Sequence, residues 1–173
     1  MPLTVQDKKI ASFIIENNKS SIIICNKWDL ILKKYNSSRE INDYKKEFEN
    51  TIKTEFDFFA YSPVFYVSAL NSTGLKALFK GINEVFVEFE KEIEQRSFNR
   101  FISEITSFNQ PQSFKGKQVR ITRAEQQGVK PPVFVFKTNE PKGITSGYRK
   151  YIENKIRNAY GFNGTPVILR FKR

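Results

Sequence analysis

The chain has 173 residues, 39% hydrophobic, 27% charged and 14% aromatic, enough for one medium domain or two small ones with packed cores. It has no histidine and a single cysteine, Cys25, which excludes His-ligated metal sites, His-based catalytic triads and an internal disulfide. The net charge of +11 is unevenly placed: residues 1–109 carry 15 Lys+Arg and 15 Asp+Glu, whereas residues 110–173 carry 14 Lys+Arg against Glu125, Glu140 and Glu153.

A compact basic module of that kind points to a polyanionic partner, and nucleic acid is favoured over a merely solvated basic face. Apolar runs such as Ile22–Cys25 are too short to cross a bilayer. Met1-Pro2-Leu3-Thr4 leads into a polar amphipathic stretch rather than a secretory h-region, so the expected location is cytoplasmic, with no membrane partner.

Thr4 and Asp7 form a capping-box pattern that opens a helix with Ile10, Phe13 and Ile14 on one face, ended by Asn17-Asn18. Ser21–Cys25 reads as a strand of a parallel sheet buried on both faces, followed at once by Asn26-Lys27-Trp28-Asp29. Ser37 and Glu40 cap a second helix with Ile41, Tyr44, Phe48 and Ile52 at spacings of three and four. Pro63–Val67 reads as the next buried strand, ending in Ser68-Ala69-Leu70. A turn through Asn71 and Gly74 opens a long helix with Leu75, Leu78, Phe79, Ile82, Val85, Phe86 and Phe89 inward. The alternation is that of a doubly wound α/β sheet, but two strands are too few for one covered on both faces.

From Ser97 a further helix carries Phe98, Phe101, Ile102 and Ile105, closed by Asn109-Gln110-Pro111. Lys117–Thr122 and Pro132–Lys137 read as strands joined through Gly128, Ser146-Gly147 opens a helix with Tyr148, Ile152 and Ile156, and Pro166–Phe171 reads as a last strand. The order helix, strand, strand, helix, strand predicts a small α+β layer with helices on one face of a three-stranded sheet. The expected division is 1–95 and 96–173.

The Asn26-Lys27-Trp28-Asp29 loop sits where a parallel strand ends, the edge at which open α/β sheets bind ligands. A carboxylate there accepts hydrogen bonds from both the N1–H and the exocyclic amino group of guanine, which adenine lacks, so Asp29 would select the base. Asn26 can reach the guanine edge, Lys27 can lay its stem over the base, and the Ala69 amide can donate to the guanine carbonyl. An ordinary polar loop with Trp28 in the core accounts for four residues alone, but two such loops at neighbouring strand ends favour guanine binding through Asn26, Lys27, Asp29, Ser68, Ala69 and Leu70. The chain has neither a G-x-x-x-x-G-K-[ST] phosphate loop nor an Asp followed three residues later by Gly, so no catalytic residue or metal ligand is assigned and the chain alone is expected not to hydrolyse GTP.

The segments Thr4–Asp7, Asn26–Asp29, Ser68–Leu70, Phe114-Lys115-Gly116-Lys117, Val129-Lys130-Pro131-Pro132 and Gly161–Pro166 resemble the C-terminal end of the Der family, also called EngA. The resemblance covers essentially the whole chain. It implies the second half of a P-loop GTPase domain followed by a KH-like domain, from a GTP-binding protein of bacterial large ribosomal subunit assembly that uses GTP and GDP with magnesium. It places the phosphate loop, switch regions and magnesium ligands upstream of Met1, which then marks a cut or an interrupted reading frame. Asn26, Lys27 and Asp29 match the family's guanine loop, and Ser68-Ala69-Leu70 its last nucleotide loop.

Gly161-Phe162-Asn163-Gly164 spells the G-x-x-G of RNA-gripping KH domains but lies between a helix and a strand, where a helix cap is the better reading. The expected contact with ribosomal RNA therefore rests on Lys115, Lys117, Arg120, Arg123, Lys130, Arg149, Lys150, Arg157, Arg170, Lys172 and Arg173. Phe134 and Phe136 read as core rather than as a base-stacking platform. A stand-alone RNA-binding or interaction module without nucleotide function is the alternative, and a parent of the Era type is disfavoured by the missing helix-to-helix G-x-x-G. Self-association through the open edge of the short sheet is also expected.

Overall fold

The computed structural model describes residues 4–55 and 60–173. They divide into two compact units, one running to Val87 and including Asn163–Thr165, the other comprising Glu88–Phe162 and Pro166–Arg173. Among the described residues no helix is long and apolar enough to cross a membrane.

In the first unit, helix α1 (Val5–Glu16) starts on the predicted capping box: Asp7 N–H donates to Thr4 Oγ1, and Thr4 N–H donates to the Asp7 carboxylate. Those hydrogen bonds hold the Asp7 carboxyl below its usual pKa. Its packed side differs from the expectation, since Ala11 is buried with Ile14, Ile15 and Ile23 against it while Ile10 and Phe13 are exposed. Strand β1 (Ile23–Cys25) pairs in parallel with β2 (Val64–Tyr66), Ile23 opposite Val64 and Cys25 opposite Tyr66. The predicted burial of this strand on both faces fails at Ile24, which is half exposed in the two-stranded sheet.

Between the strands lie α2 (Trp28–Lys34), a short helix missed in the sequence, and α3 (Ser38–Glu55). The Ser37 and Glu40 side chains exchange hydrogen bonds with each other's backbone amides at the start of α3. Helix α4 (Leu75–Phe89) turns Leu78, Gly81 and Val85 inward. The expectation that Phe79, Ile82 and Phe86 also point inward is corrected, because they lie exposed on another side of the helix. The inward stripe is narrow because α4 sits very close to β2: a Cβ on Gly81 would come 1.9 Å from the Phe65 ring.

The second unit has α5 (Gln95–Phe108), β3 (Ile121–Gly128), β4 (Val133–Thr138), α6 (Ser146–Tyr160) and β5 (Ile168–Lys172). Residues 88–95 are tied to it by sequence-distant hydrogen bonds, with Ile93 N–H donating to Gln126 Oε1 and Gln126 Nε2 to the Lys91 carbonyl. Glu94 caps α5 by accepting from the Arg96 and Ser97 amides, which holds its carboxyl below the usual pKa. The sheet order is β3-β4-β5, antiparallel then parallel.

The first of these strands is displaced from its predicted 117–122. Lys115 and Gly116 have positive φ, closing a tight turn between Phe114 and Lys117, and the polar run Arg123–Gln127 takes the strand instead. An edge strand with one open face tolerates such a run. The core joins Phe98, Ile102 and Ile105 of α5 and Tyr148, Ile152 and Ile156 of α6 to Phe134 and Phe136 of β4, with Phe162 filling the end. Burial of each phenylalanine contributes roughly 1.5–3 kcal/mol.

Candidate functional site

At the ends of β1 and β2 the two predicted loops meet. The Val67 amide donates to the Cys25 carbonyl at 2.9 Å, and the Trp28 amide donates to the Val67 carbonyl at 2.9 Å, so the backbones are laced together just before the polar residues begin. Lys27 then adopts a left-handed conformation, φ +60, at the start of α2. A non-glycine residue there costs about 1–2 kcal/mol, and Asn26 offsets it: its Oδ1 accepts from the Lys27 amide at 2.7 Å and from the Ala69 amide at 3.1 Å.

Deeper in the same site, the Ser68 hydroxyl donates to Asp29 Oδ1 at 2.6 Å and its Oγ accepts from the Asn71 amide at 3.3 Å. Ser68 and Asp29 are buried, while Asn26, Lys27 and Ala69 are exposed and Leu70 is 84% exposed. The first turn of α2 thus holds a buried carboxylate beside a wall of exposed polar and aliphatic groups. Of the six predicted residues, hydrogen bonds bring together Asn26 with Ala69 and Asp29 with Ser68; Lys27 adjoins Asn26 in the chain, and Leu70 is exposed beyond Ala69.

Trp28 faces the other way, into a cluster with the Tyr66 ring at 4.4 Å and the Tyr44 ring at 6.0 Å, and Lys45 Nζ lies 5.4 Å from its centroid. It anchors α2 to α3, a core role. Burial pushes the neighbouring Cys25 thiol up to about 11, which keeps it protonated at neutral pH.

The basic candidates of the second unit do not share one surface. In β3-β4-β5, residues partnered with Phe136 and Phe134 face the helices, as the stacked Phe136 and Phe171 rings show. Those partnered with Val135 and Lys137, namely Arg123, Glu125, Arg170 and Lys172, lie on the opposite face, where Arg123, Lys137, Arg170 and Lys172 are exposed around a buried Val135. Arg149 stands on the helix side, its guanidinium 4.5 Å from the Phe171 ring centroid, and Lys150 follows it on α6.

Lys115 lies in the exposed turn before β3 and Lys117 closes it, and Arg120 leads into that strand, its amide held by Asn139 Oδ1. Lys130 pairs with Glu90, and Arg173 lies 3.7 Å from Glu140. Arg157 is the exception: its side chain, 13% exposed, binds Glu153 and donates from Nη1 to the Phe162 carbonyl, closing the end of α6. Gly161 has φ +90 and caps the same helix end, and Phe134 and Phe136 are fully buried, so neither feature offers a grip on bases.

Residues 92–172 match the family described as KH-domain-like of EngA bacterial GTPase enzymes, C-terminal. The chain is 38% identical to the GTPase Der of Moorella thermoacetica over 171 residues, covering 99% of the chain and 37% of that protein. The GTPase Der of Alkaliphilus metalliredigens is 38% identical over 165 residues, covering 95% and 36%, and that of Fusobacterium nucleatum 35% over 170 residues, covering 98% and 37%. The chain therefore spans little more than a third of the length of these relatives.

Proposed function

Because residues 92–172 are a KH-like domain of the EngA C-terminal type and the whole chain is a Der (EngA) relative, we propose that it carries the guanine-recognition half of a P-loop GTPase domain and an RNA-contacting KH-like domain. On this reading residues 1–95 serve the nucleotide and 96–173 serve ribosomal RNA, in a cytoplasmic GTP-binding protein of large ribosomal subunit biogenesis.

The observation that carries the nucleotide half is the closure of the two strand-end loops on each other, through Asn26 with Ala69 and Asp29 with Ser68. Those residue types fit a guanine. The Asp29 carboxylate would accept from the base's two adjacent N–H donors, Lys27 would cover its face, and Ser68 fixes the carboxylate so that little ordering is left for binding. The Ala69 amide would exchange its bond to Asn26 for one to the guanine carbonyl. Bound GTP supplies a phosphoryl group whose transfer needs a phosphate cradle and magnesium, and no residue of this chain is assigned to either. The intact relatives would supply them, so hydrolysis belongs to the longer protein and base selection to these residues.

The first unit leaves apolar side chains exposed, Ile24 on β1 and Phe79, Ile82 and Phe86 on α4, and Ile24, beside the open edge of the short sheet, is where this chain would associate with itself.

Saturation-transfer NMR with millimolar GDP and ADP tests the proposal. Transfer to GDP but not ADP, abolished by Asp29→Asn, is the expected result. Equal transfer to both nucleotides would overturn guanine recognition and favour the reading as an RNA-binding or interaction module alone.

A further inference from the structure

Strand register puts Arg123 of β3 opposite Lys137 of β4, and Lys137 opposite Lys172 of β5. Three cations therefore stand side by side across the whole sheet on its open face, on strands roughly 4.8 Å apart. The next rung on that face is Glu125, Val135 and Arg170: Val135 is buried at its centre, only 2% exposed, while Arg170 is exposed beside the cationic row. Lys137 escaped the sequence reading because alternation identified it only as the last residue of an apolar strand.

Like charges directly opposite one another in a sheet are destabilising. Compensation is slight: Arg123 lies 3.4 Å from Glu125, and among the described residues no carboxylate pairs with Lys137, Arg170 or Lys172. A sheet that needed only to fold would not concentrate charge in this way.

We propose that this open face, with Arg123, Lys137 and Lys172 as its row and Arg170 beside it, is the surface on which an RNA phosphate backbone lies. The proposal rests on the reading of this domain as RNA-contacting and names its face. Long flexible cations on a sheet face suit phosphates. Base stacking is unavailable, since the aromatic rings of β4 point into the core and are fully buried, so the contact reads backbone rather than sequence. Phe136 and Phe171 face the helices, leaving this end of the face without a large apolar group to enter a lipid surface. Arg149 and Lys150, on the helix side, and Arg157, which closes α6, lie outside the surface.

The experiment is a fluorescence-polarisation titration of a labelled single-stranded oligouridylate at several salt concentrations. It compares the full chain, the triple variant Arg123→Gln/Lys137→Gln/Lys172→Gln, and the double variant Arg149→Gln/Lys150→Gln. The triple variant is expected to weaken binding about tenfold or more at low salt and to flatten the log–log salt slope by about 2, at about 0.7 per lost contact. Its thermal midpoint should equal or exceed that of the parent, because a repulsive row has been removed. The double variant should bind within about twofold of the parent, its phosphate contacts being intact.

Loss of binding in the double variant with retention in the triple, or equal loss in both, would overturn this face while leaving RNA contact standing. Absence of binding by the unaltered chain at low salt would overturn both.

Discussion

The Ser68 hydroxyl donates to Asp29 Oδ1 at 2.6 Å across a sequence separation of 39 residues, and both side chains are buried. One residue lies two positions beyond β2 and the other in the first turn of α2, so this charge-assisted hydrogen bond joins the Asn26–Ala69 bond in tying two loops into one site. It also sets the orientation of the carboxylate proposed to read the base.

Replacing Ser68 by Ala removes that donor while leaving the carboxylate buried. The expected cost is about 1–3 kcal/mol, the range for a buried polar group that loses its partner. Urea unfolding followed by Trp28 fluorescence measures it, since Trp28 is the chain's one tryptophan and packs in the same unit. A change within 0.5 kcal/mol, the usual scatter of surface substitutions, would show that the pair does not hold the loops.

Hydrolysis of GTP by this chain alone should be indistinguishable from a no-protein control in a phosphate-release assay with magnesium. Positioning and charge stabilisation of the phosphates provide nearly all the catalysis of phosphoryl transfer, and the sequence holds no phosphate loop. Protein-dependent release that survives further purification would contradict this.

Much of this architecture is legible in the sequence because its signals are local. The Thr4–Asp7 capping box, the Phe98, Ile102, Ile105 stripe and the Tyr148, Ile152, Ile156 stripe each set their own helix. The two strand-end loops are legible because their residue types are unusual at strand ends. What escapes is what depends on neighbours. Helical spacing puts both Phe79 and Val85 in one broad apolar stripe but does not show which of them meets β2, and the close approach at Gly81 decides that. The cationic row is invisible without register, since Arg123, Lys137 and Lys172 are far apart in the chain. Arg157 looks like any other surface cation until the Phe162 carbonyl is seen beside it.

Gly81→Ala should destabilise the first unit by about 1–3 kcal/mol, as overpacking does. Its Cβ would sit 1.9 Å from Phe65 Cζ, within a ring that backs onto α4. The double variant Gly81→Ala/Phe65→Leu should recover part of the loss by vacating that space. Trp28-monitored unfolding reads both, and an unchanged midpoint for Gly81→Ala would refute the close helix-on-strand contact.

Self-association should weaken when a charge is placed on the half-exposed face of β1 in the first unit. Ile24 projects from β1 with half its surface exposed, and Ile24→Glu would oppose any apolar contact there at little cost to the monomer, being a surface change. Sedimentation velocity over a concentration series should show association in the parent and a shift towards monomer in the variant. A parent that stays monomeric throughout would dispose of this surface as a self-contact.

Phe134 provides the sharpest separation of core from ligand contact in the basic unit. Its ring is fully buried, 4.9 Å from the Phe98 centroid and 5.7 Å from that of Phe162, at the junction of β4, α5 and the end of α6. Truncation to Ala should cost about 3–5 kcal/mol through lost burial and the cavity left behind. A base-stacking residue behaves differently, since its loss weakens RNA binding and leaves stability nearly unchanged. Phe134→Leu, which keeps most of the volume, should then restore both the melting transition and RNA binding, because a backbone-reading surface asks only that the sheet beneath it be folded. If Phe134→Leu folds with its parent's midpoint yet loses affinity for oligouridylate, the ring takes part in recognition after all and the open face is not the whole of the contact.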